Sequence, residues 1–231
     1  MLPITAITPF TLQDFPDHTA SIIWFGGCNF RCPYCHNPEF IIDEFKVMDE
    51  KKVWDFLESR RNLLDGVVLS GGECTIPNGI IEFIKKIKKL KFKVKIDTNG
   101  MRTEIVRELI DKNLIDCLAL DYKAQKEKFE SISGSKEFDK FSKTLDYLIL
   151  KNFPFEIRTT VHTDLLDEND INSIIRDLEN RGFKTGNYYI QNFSNTKGRT
   201  LGNINNQKRI INKKKIISSE DFSVLFRNFD D

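Results

Sequence analysis

Short apolar runs alternate along the chain with longer amphipathic stretches. The runs SIIWF (21–25), GVVLS (66–70), FKVKID (92–97), DCLALD (116–121), FEIRTTV (155–161) and NYYIQNF (187–193) read as strands. Apolar positions at helical spacing fall between them, near 49–62, 78–90, 103–113, 137–152 and 170–181. Six strands separated by helices predict an α/β fold of parallel βα units. Such units either close into a barrel or open into a doubly wound sheet, and six repeats are fewer than a full eight-stranded barrel needs. A further helical pattern, SSEDFSVLFRNF, lies near the end of the chain. The pattern gives a single domain over 1–231, with a core of about 18–195 and a polar, basic extension over about 196–231. The KKK in that extension reads as solvated surface.

In either parallel architecture, ligands collect at the C-terminal ends of the strands, where the loops converge. Unusual residues follow strand after strand at that end: GGCNFRCPYCHN after the first, GGECT after the second, DTNG at the third, DYKA at the fourth and HTD after the fifth. Gly, Asn and Asp are ordinary turn residues, but five such signals at one end of successive strands point to a site.

Charge adds little to this picture. The 34 acidic residues nearly cancel the 35 basic ones, so net charge proposes neither a nucleic-acid nor a membrane partner. SIIWFGG is too short to span a bilayer and lacks the flanks of a secretory signal, so the expected location is the cytoplasm. Five cysteines, three of them within residues 28–35, suit metal ligation better than a disulfide framework.

Cys28, Cys32 and Cys35 are soft ligands suited to zinc or to an iron–sulfur cluster. Structural zinc would need His36 as a fourth ligand, yet His36 directly follows Cys35, and adjacent side chains rarely close one tetrahedral shell. A cubane [4Fe–4S] cluster normally takes four cysteines, so three would leave one iron open to a small molecule. The open-site cluster is the favoured reading, with structural zinc and a thiol-redox loop as alternatives.

The spacing C-x3-C-x2-C, with Tyr34 before the third cysteine, resembles that of the radical S-adenosylmethionine superfamily. The resemblance implies a partial (β/α)6 barrel with outer helices, an open-site [4Fe–4S] cluster on Cys28, Cys32 and Cys35, and S-adenosylmethionine as the second cofactor. Gly71, Gly72 and Glu73 in GGECT resemble the family's GGE element, which presents backbone and a carboxylate to the cofactor's ammonium group. Cys74 stands where the family commonly has proline, which leaves a ligand or redox role for its thiol open. DTNG, with Asp97, Thr98 and Asn99, and DYK, with Asp121 and Lys123, resemble motifs of glycyl-radical-enzyme activases. By that resemblance Asp121 and Lys123 meet the cofactor's ribose and carboxylate, and Asp97, Thr98 and Asp121 can hold a monovalent cation. Strand alternation puts Arg158, Thr160 and His162 on one face, where a buried Arg158 would need an anion such as the cofactor carboxylate. His162 is not assigned as a base.

The opening TPFTLQDFPD, the CHNPE after the third cysteine and RTTVHTDLLDENDI are similar to the anaerobic ribonucleoside-triphosphate reductase activating proteins. That resemblance implies hydrogen abstraction from a glycine of a partner reductase, with a one-electron donor such as flavodoxin or ferredoxin. The alternatives are a radical enzyme acting on a small molecule, such as a cofactor or deazapurine precursor, and a noncatalytic metal-binding module.

Overall fold

The computed structural model describes residues 1–41, 45–194 and 199–229. Residues 195–198 and 230–231 of the expected extension lie outside the described residues. The fold is α/β, with eight strands in chain order in one mostly parallel sheet. The chain divides into two compact units, Met1–Asn29 with Glu39–Ala119, and Phe30–Pro38 with Leu120–Asp231.

In the first unit, β1 (Ile4–Thr11) pairs antiparallel with β2 (Ala20–Phe25), and β2, β3 (Gly66–Gly71) and β4 (Lys93–Thr98) run parallel. The helices are α1 (Glu50–Ser59), α2 (Ile80–Lys89) and α3 (Thr103–Asp111). Strands β2 and β3 are buried along nearly their whole length, which is why they read as unbroken apolar runs. Asp49 caps α1 by accepting the Lys51 amide. Ile80, Phe83, Ile84 and Ile87 form the buried stripe of α2.

The second unit begins with the segment Phe30–Pro38, and β5 (Cys117–Asp121) straddles the boundary. It then holds α4 (Lys126–Ser133), α5 (Phe138–Leu150), β6 (Phe155–Val161), α6 (Glu168–Asn180), β7 (Asn187–Asn192) and β8 (Ser223–Arg227), with β6, β7 and β8 parallel. A capping box of Asp167 and Asp170 starts α6. The core of this unit includes an aromatic cluster in which Phe138 and Phe141 touch each other and both Tyr122 and Phe129.

The structure corrects the sequence-based expectation at three places. The stretch expected to be helical near the C terminus forms strand β8, because Val224 and Phe226 are the more buried residues and alternate at the period of a strand. Strand β1 was not expected. It is an antiparallel edge strand with irregular register, a position where Pro9 is tolerated. Helix α4 was also missed, since it buries only Phe129, Ile132 and Ser133.

Candidate active site

The three-cysteine loop follows β2. Gly27 donates its N–H to the Phe40 carbonyl (2.5 Å). In the second unit, the Arg31 N–H bonds the Ser133 carbonyl at the end of α4 (2.7 Å), and the Phe30 ring meets Phe129 edge-on. The Leu201 N–H bonds the Cys35 carbonyl (3.2 Å), and the Gly202 N–H bonds that of Pro33 (2.9 Å). The loop backbone is thus tied to α4 and to the segment after β7, and the sequence pattern signalled neither support.

All five cysteines are free thiols. Cys32 is buried, and burial pushes its thiol up to about 11, although the Lys123 ammonium opposes the shift. Tyr34 is fully buried, its hydroxyl is also pushed up by burial, and that hydroxyl has no hydrogen-bond partner among the described residues. Among the described residues no three His, Cys, Asp or Glu side chains converge on a single-ion site. A cubane makes a different demand, since each thiolate binds its own iron, and iron binding would hold the thiols deprotonated.

In the first unit, Gly71 sits at φ +120°, where a Cβ would lie 2.3 Å from the Phe25 carbonyl oxygen. A Cβ on Gly72 would lie 2.1 Å from the oxygen of Gly27. These glycines let the β3 end close against the β2 end, and the Gly72 and Glu73 amides bond Phe25 and Gly27 there. Glu73 is buried, and its carboxylate accepts four bonds. Oε1 takes the Thr75 N–H (3.1 Å), the Thr75 hydroxyl (2.5 Å) and the Thr98 hydroxyl (2.7 Å), and Oε2 takes the Asn99 N–H (2.7 Å). Burial pushes this carboxyl up while the four bonds pull it down. The side chain expected to meet a ligand's ammonium therefore binds its own β3 and β4 loops together.

Asn99 extends this network to the cysteine loop, donating from Nδ2 to Asn29 Oδ1 (2.8 Å) and, more weakly, to Cys28 Sγ (4.0 Å). Asp97 accepts from Ser70 (3.1 Å) and pairs with buried Lys95 (2.6 Å). Lys95 thus neutralises Asp97, one of the three residues at which the resemblance implied a monovalent ion. Cys74 is buried and donates to the Asp97 carbonyl (3.4 Å), and burial, with Glu73 and Asp97 nearby, holds its thiol protonated. That describes a small buried side chain better than a reactive thiol.

In the second unit, Asp121 bridges two cations. Its Oδ2 pairs with Lys123 (3.0 Å) and its Oδ1 accepts from Arg158 Nε (3.1 Å). Burial acts to lower the Lys123 ammonium, but Asp121, Tyr34 and Cys32 outweigh it and hold the group well above its ordinary value. Arg158 also lies 3.8 Å from Glu156. His162 is buried beside them in sequence but is a structural pin. Its Nδ1 accepts the Asp164 N–H (3.3 Å), so Nε2 carries the proton given to the Asn205 carbonyl (2.9 Å).

The chain thus carries three thiols in one loop, a glycine-flexed end to β3, and a cation–carboxylate cluster at the end of β5. Residues 22–179 match the Radical SAM superfamily, and the chain belongs to it. Its members use a [4Fe–4S] cluster and S-adenosylmethionine. A Methanocaldococcus jannaschii protein, whose name marks it as an inferred glycyl-radical enzyme activating enzyme, is 33% identical over 82% of this chain and 79% of its own length. The pyruvate formate-lyase-activating enzyme of Clostridium pasteurianum is 27% identical over 77% of each chain. The structure of Streptococcus suis SuiB bound to S-adenosylmethionine shares the fold, with a TM-score of 0.62 at 18% identity. That match covers 80% of this chain and 44% of SuiB. Among the described residues, no helix is long and apolar enough to cross a membrane.

Proposed function

We propose that the protein activates a glycyl-radical enzyme, and that its partner is an anaerobic ribonucleotide reductase. The observation that carries the proposal is the three-thiol loop, supported on one side by α4 and on the other by residues 201–202, and followed by the charged cluster of Asp121, Lys123 and Arg158. The similarity to proteins named for glycyl-radical enzyme activation supports the choice of substrate class.

In this reading Cys28, Cys32 and Cys35 hold the cluster, and the buried Tyr34 hydroxyl is available to the second cofactor. Glu73 acts indirectly, by fixing the backbone of Thr75 and Asn99 so that the polar groups of these turns are presented without rearrangement. Lys123 and Arg158 offer positive charge to a carboxylate, and Asp121 offers an acceptor to hydroxyls. Lys95 supplies at Asp97 the charge that a monovalent ion would otherwise bring. A cluster held by Cys28, Cys32 and Cys35 would supply the one-electron reductive cleavage of S-adenosylmethionine, and with it the hydrogen-abstracting chemistry that a glycine Cα requires. A flavodoxin or ferredoxin would deliver the electron, in a cytoplasm that keeps the thiols reduced.

The test mixes the anaerobically reconstituted protein, S-adenosylmethionine and a reductant with an anaerobic ribonucleotide reductase, and records its electron paramagnetic resonance spectrum. The reading expects a glycyl-radical doublet on the reductase. A doublet on a different glycyl-radical enzyme, with none on the reductase, would keep the activase and discard the partner.

A further inference from the structure

In the second unit, a cavity of about 640 Å³ opens at the C-terminal ends of β6 and β7. Thr160, Gln191, Asn192, Ser194 and Asn228 line it, with His36 and Phe193 as its aromatic members. Thr160 and Gln191 are register partners across β6 and β7, which puts them on one face of the sheet. His36, one residue beyond Cys35, stacks on Phe193 with ring centroids 5.0 Å apart, and so joins the cavity wall to the cysteine loop.

The chemistry of this lining is narrow. It holds no Asp, Glu, Lys or Arg among the described residues. Arg227, next to Asn228 in the chain, is turned to Glu156 (3.2 Å) and to the face of Tyr189. A triphosphate or a carboxylate substrate would meet no counter-charge among the described lining residues, which is costly. A neutral ligand carrying both donors and acceptors is matched instead, because carboxamides and hydroxyls supply both.

One of the amides is already aimed. Gln207 accepts the Thr163 N–H at Oε1 (3.2 Å), and its Nε2 donates to Asn192 Oδ1 (2.6 Å) and to the Phe193 carbonyl (3.4 Å). With its oxygen engaged by Gln207, the Asn192 carboxamide is held in place, and a group fixed beforehand loses less freedom on binding.

We propose that this cavity binds the main chain of a glycine-bearing segment of the partner, through the amides of Gln191, Asn192 and Asn228. The proposal rests on the activase reading and gives it a substrate subsite. Glycine offers no side chain to recognise, so selecting it falls to peptide N–H and C=O groups, which these carboxamides complement.

The test is calorimetric titration of the reconstituted full chain with acetyl-pentaglycine-amide, and separately with adenosine and with GTP. The proposal expects saturable binding of the capped peptide. Asn192→Asp should weaken it about tenfold, because it keeps the shape and the acceptor for Gln207 but removes the donor. Gln191→Leu should weaken it as well. No peptide binding, unchanged binding in both variants, or a site that takes GTP or adenosine in the peptide's place would overturn it. A glycyl-radical doublet raised on the partner enzyme by the unaltered protein, with S-adenosylmethionine and reductant, tests the activase reading separately. If that doublet forms and the peptide does not bind, the subsite fails while the activase reading stands.

Discussion

The two units carry chemically different polar clusters. That of the first unit is a closed hydrogen-bond net, in which the buried Glu73 carboxylate is satisfied by Thr75, Thr98 and Asn99. That of the second unit is a charge cluster of Lys123, Asp121 and Arg158, with side chains between 15% and 27% exposed. A closed net of this kind holds backbone in shape, and disturbing it should cost stability. A partly exposed charge cluster has spare capacity for a ligand, and disturbing it should cost binding. Stability and activity should therefore respond in opposite proportion to mutation in the two clusters.

The largest stability effect belongs to the first unit's net. Glu73→Ala would leave four donors without their acceptor in a fully buried place, at a cost of about 3 kcal/mol or more. Glu73→Gln, which keeps an acceptor oxygen, should cost roughly half as much. Denaturant midpoints of the two variants check this, and an Ala variant as stable as the unaltered protein would break the comparison.

In the second unit's cluster, Lys123→Met should shift stability by no more than about 1–2 kcal/mol while slowing 5′-deoxyadenosine formation roughly a hundredfold, the scale seen when one charged donor is removed from a reacting site. Stability curves and product assays on the same preparation separate the two losses. A smaller effect is expected for Cys74→Ala. Iron content per chain should be unchanged and stability should fall by about 1 kcal/mol, since the thiol is a buried donor to the Asp97 carbonyl. A loss of one quarter or more of the bound iron would give Cys74 back a ligand role.

The smallest effect concerns the C-terminal segment, strapped to α6 by Arg209 and Glu168 (2.8 Å). The Arg209 guanidinium beside Glu168 holds its carboxyl down from the usual 4.5 to about 2. A carboxyl lowered by folding adds stability above its unfolded value, and that stability is lost as pH falls through the folded value. The gap between the unaltered protein and Glu168→Gln should therefore be full above pH 4.5 and close toward pH 2. With Arg209 half exposed, the gap should stay under about 1 kcal/mol. Melting temperatures across that range would show it, and a gap that widened in acid would reverse the assigned sign.

Much of this architecture was legible in the residue pattern, for identifiable reasons. Buried parallel strands such as β2 and β3 are continuous apolar runs, and the cysteine spacing is a local signal that survives without any fold. The elements missed, β1, α4 and β8, have weak or ambiguous periodicity: Pro9 interrupts β1, α4 buries few residues, and short apolar runs such as β8 fit two periods. Within the site, the residue types were readable but their partners were not. That Glu73 binds Thr98 and Asn99, that Lys95 sits on Asp97, and that Leu201 and Gly202 support the cysteine loop are consequences of long-range contacts, which local spacing does not encode.

The central claim is that Cys28, Cys32 and Cys35 hold an open-site cluster that cleaves S-adenosylmethionine. The most direct measurement is 5′-deoxyadenosine formation by the anaerobically reconstituted, reduced protein, compared with single alanine variants of the three cysteines. The account predicts product from the unaltered chain and its loss in each of the three variants. A well-loaded cluster that yields no product, or product that survives replacement of any one of the three, would contradict it.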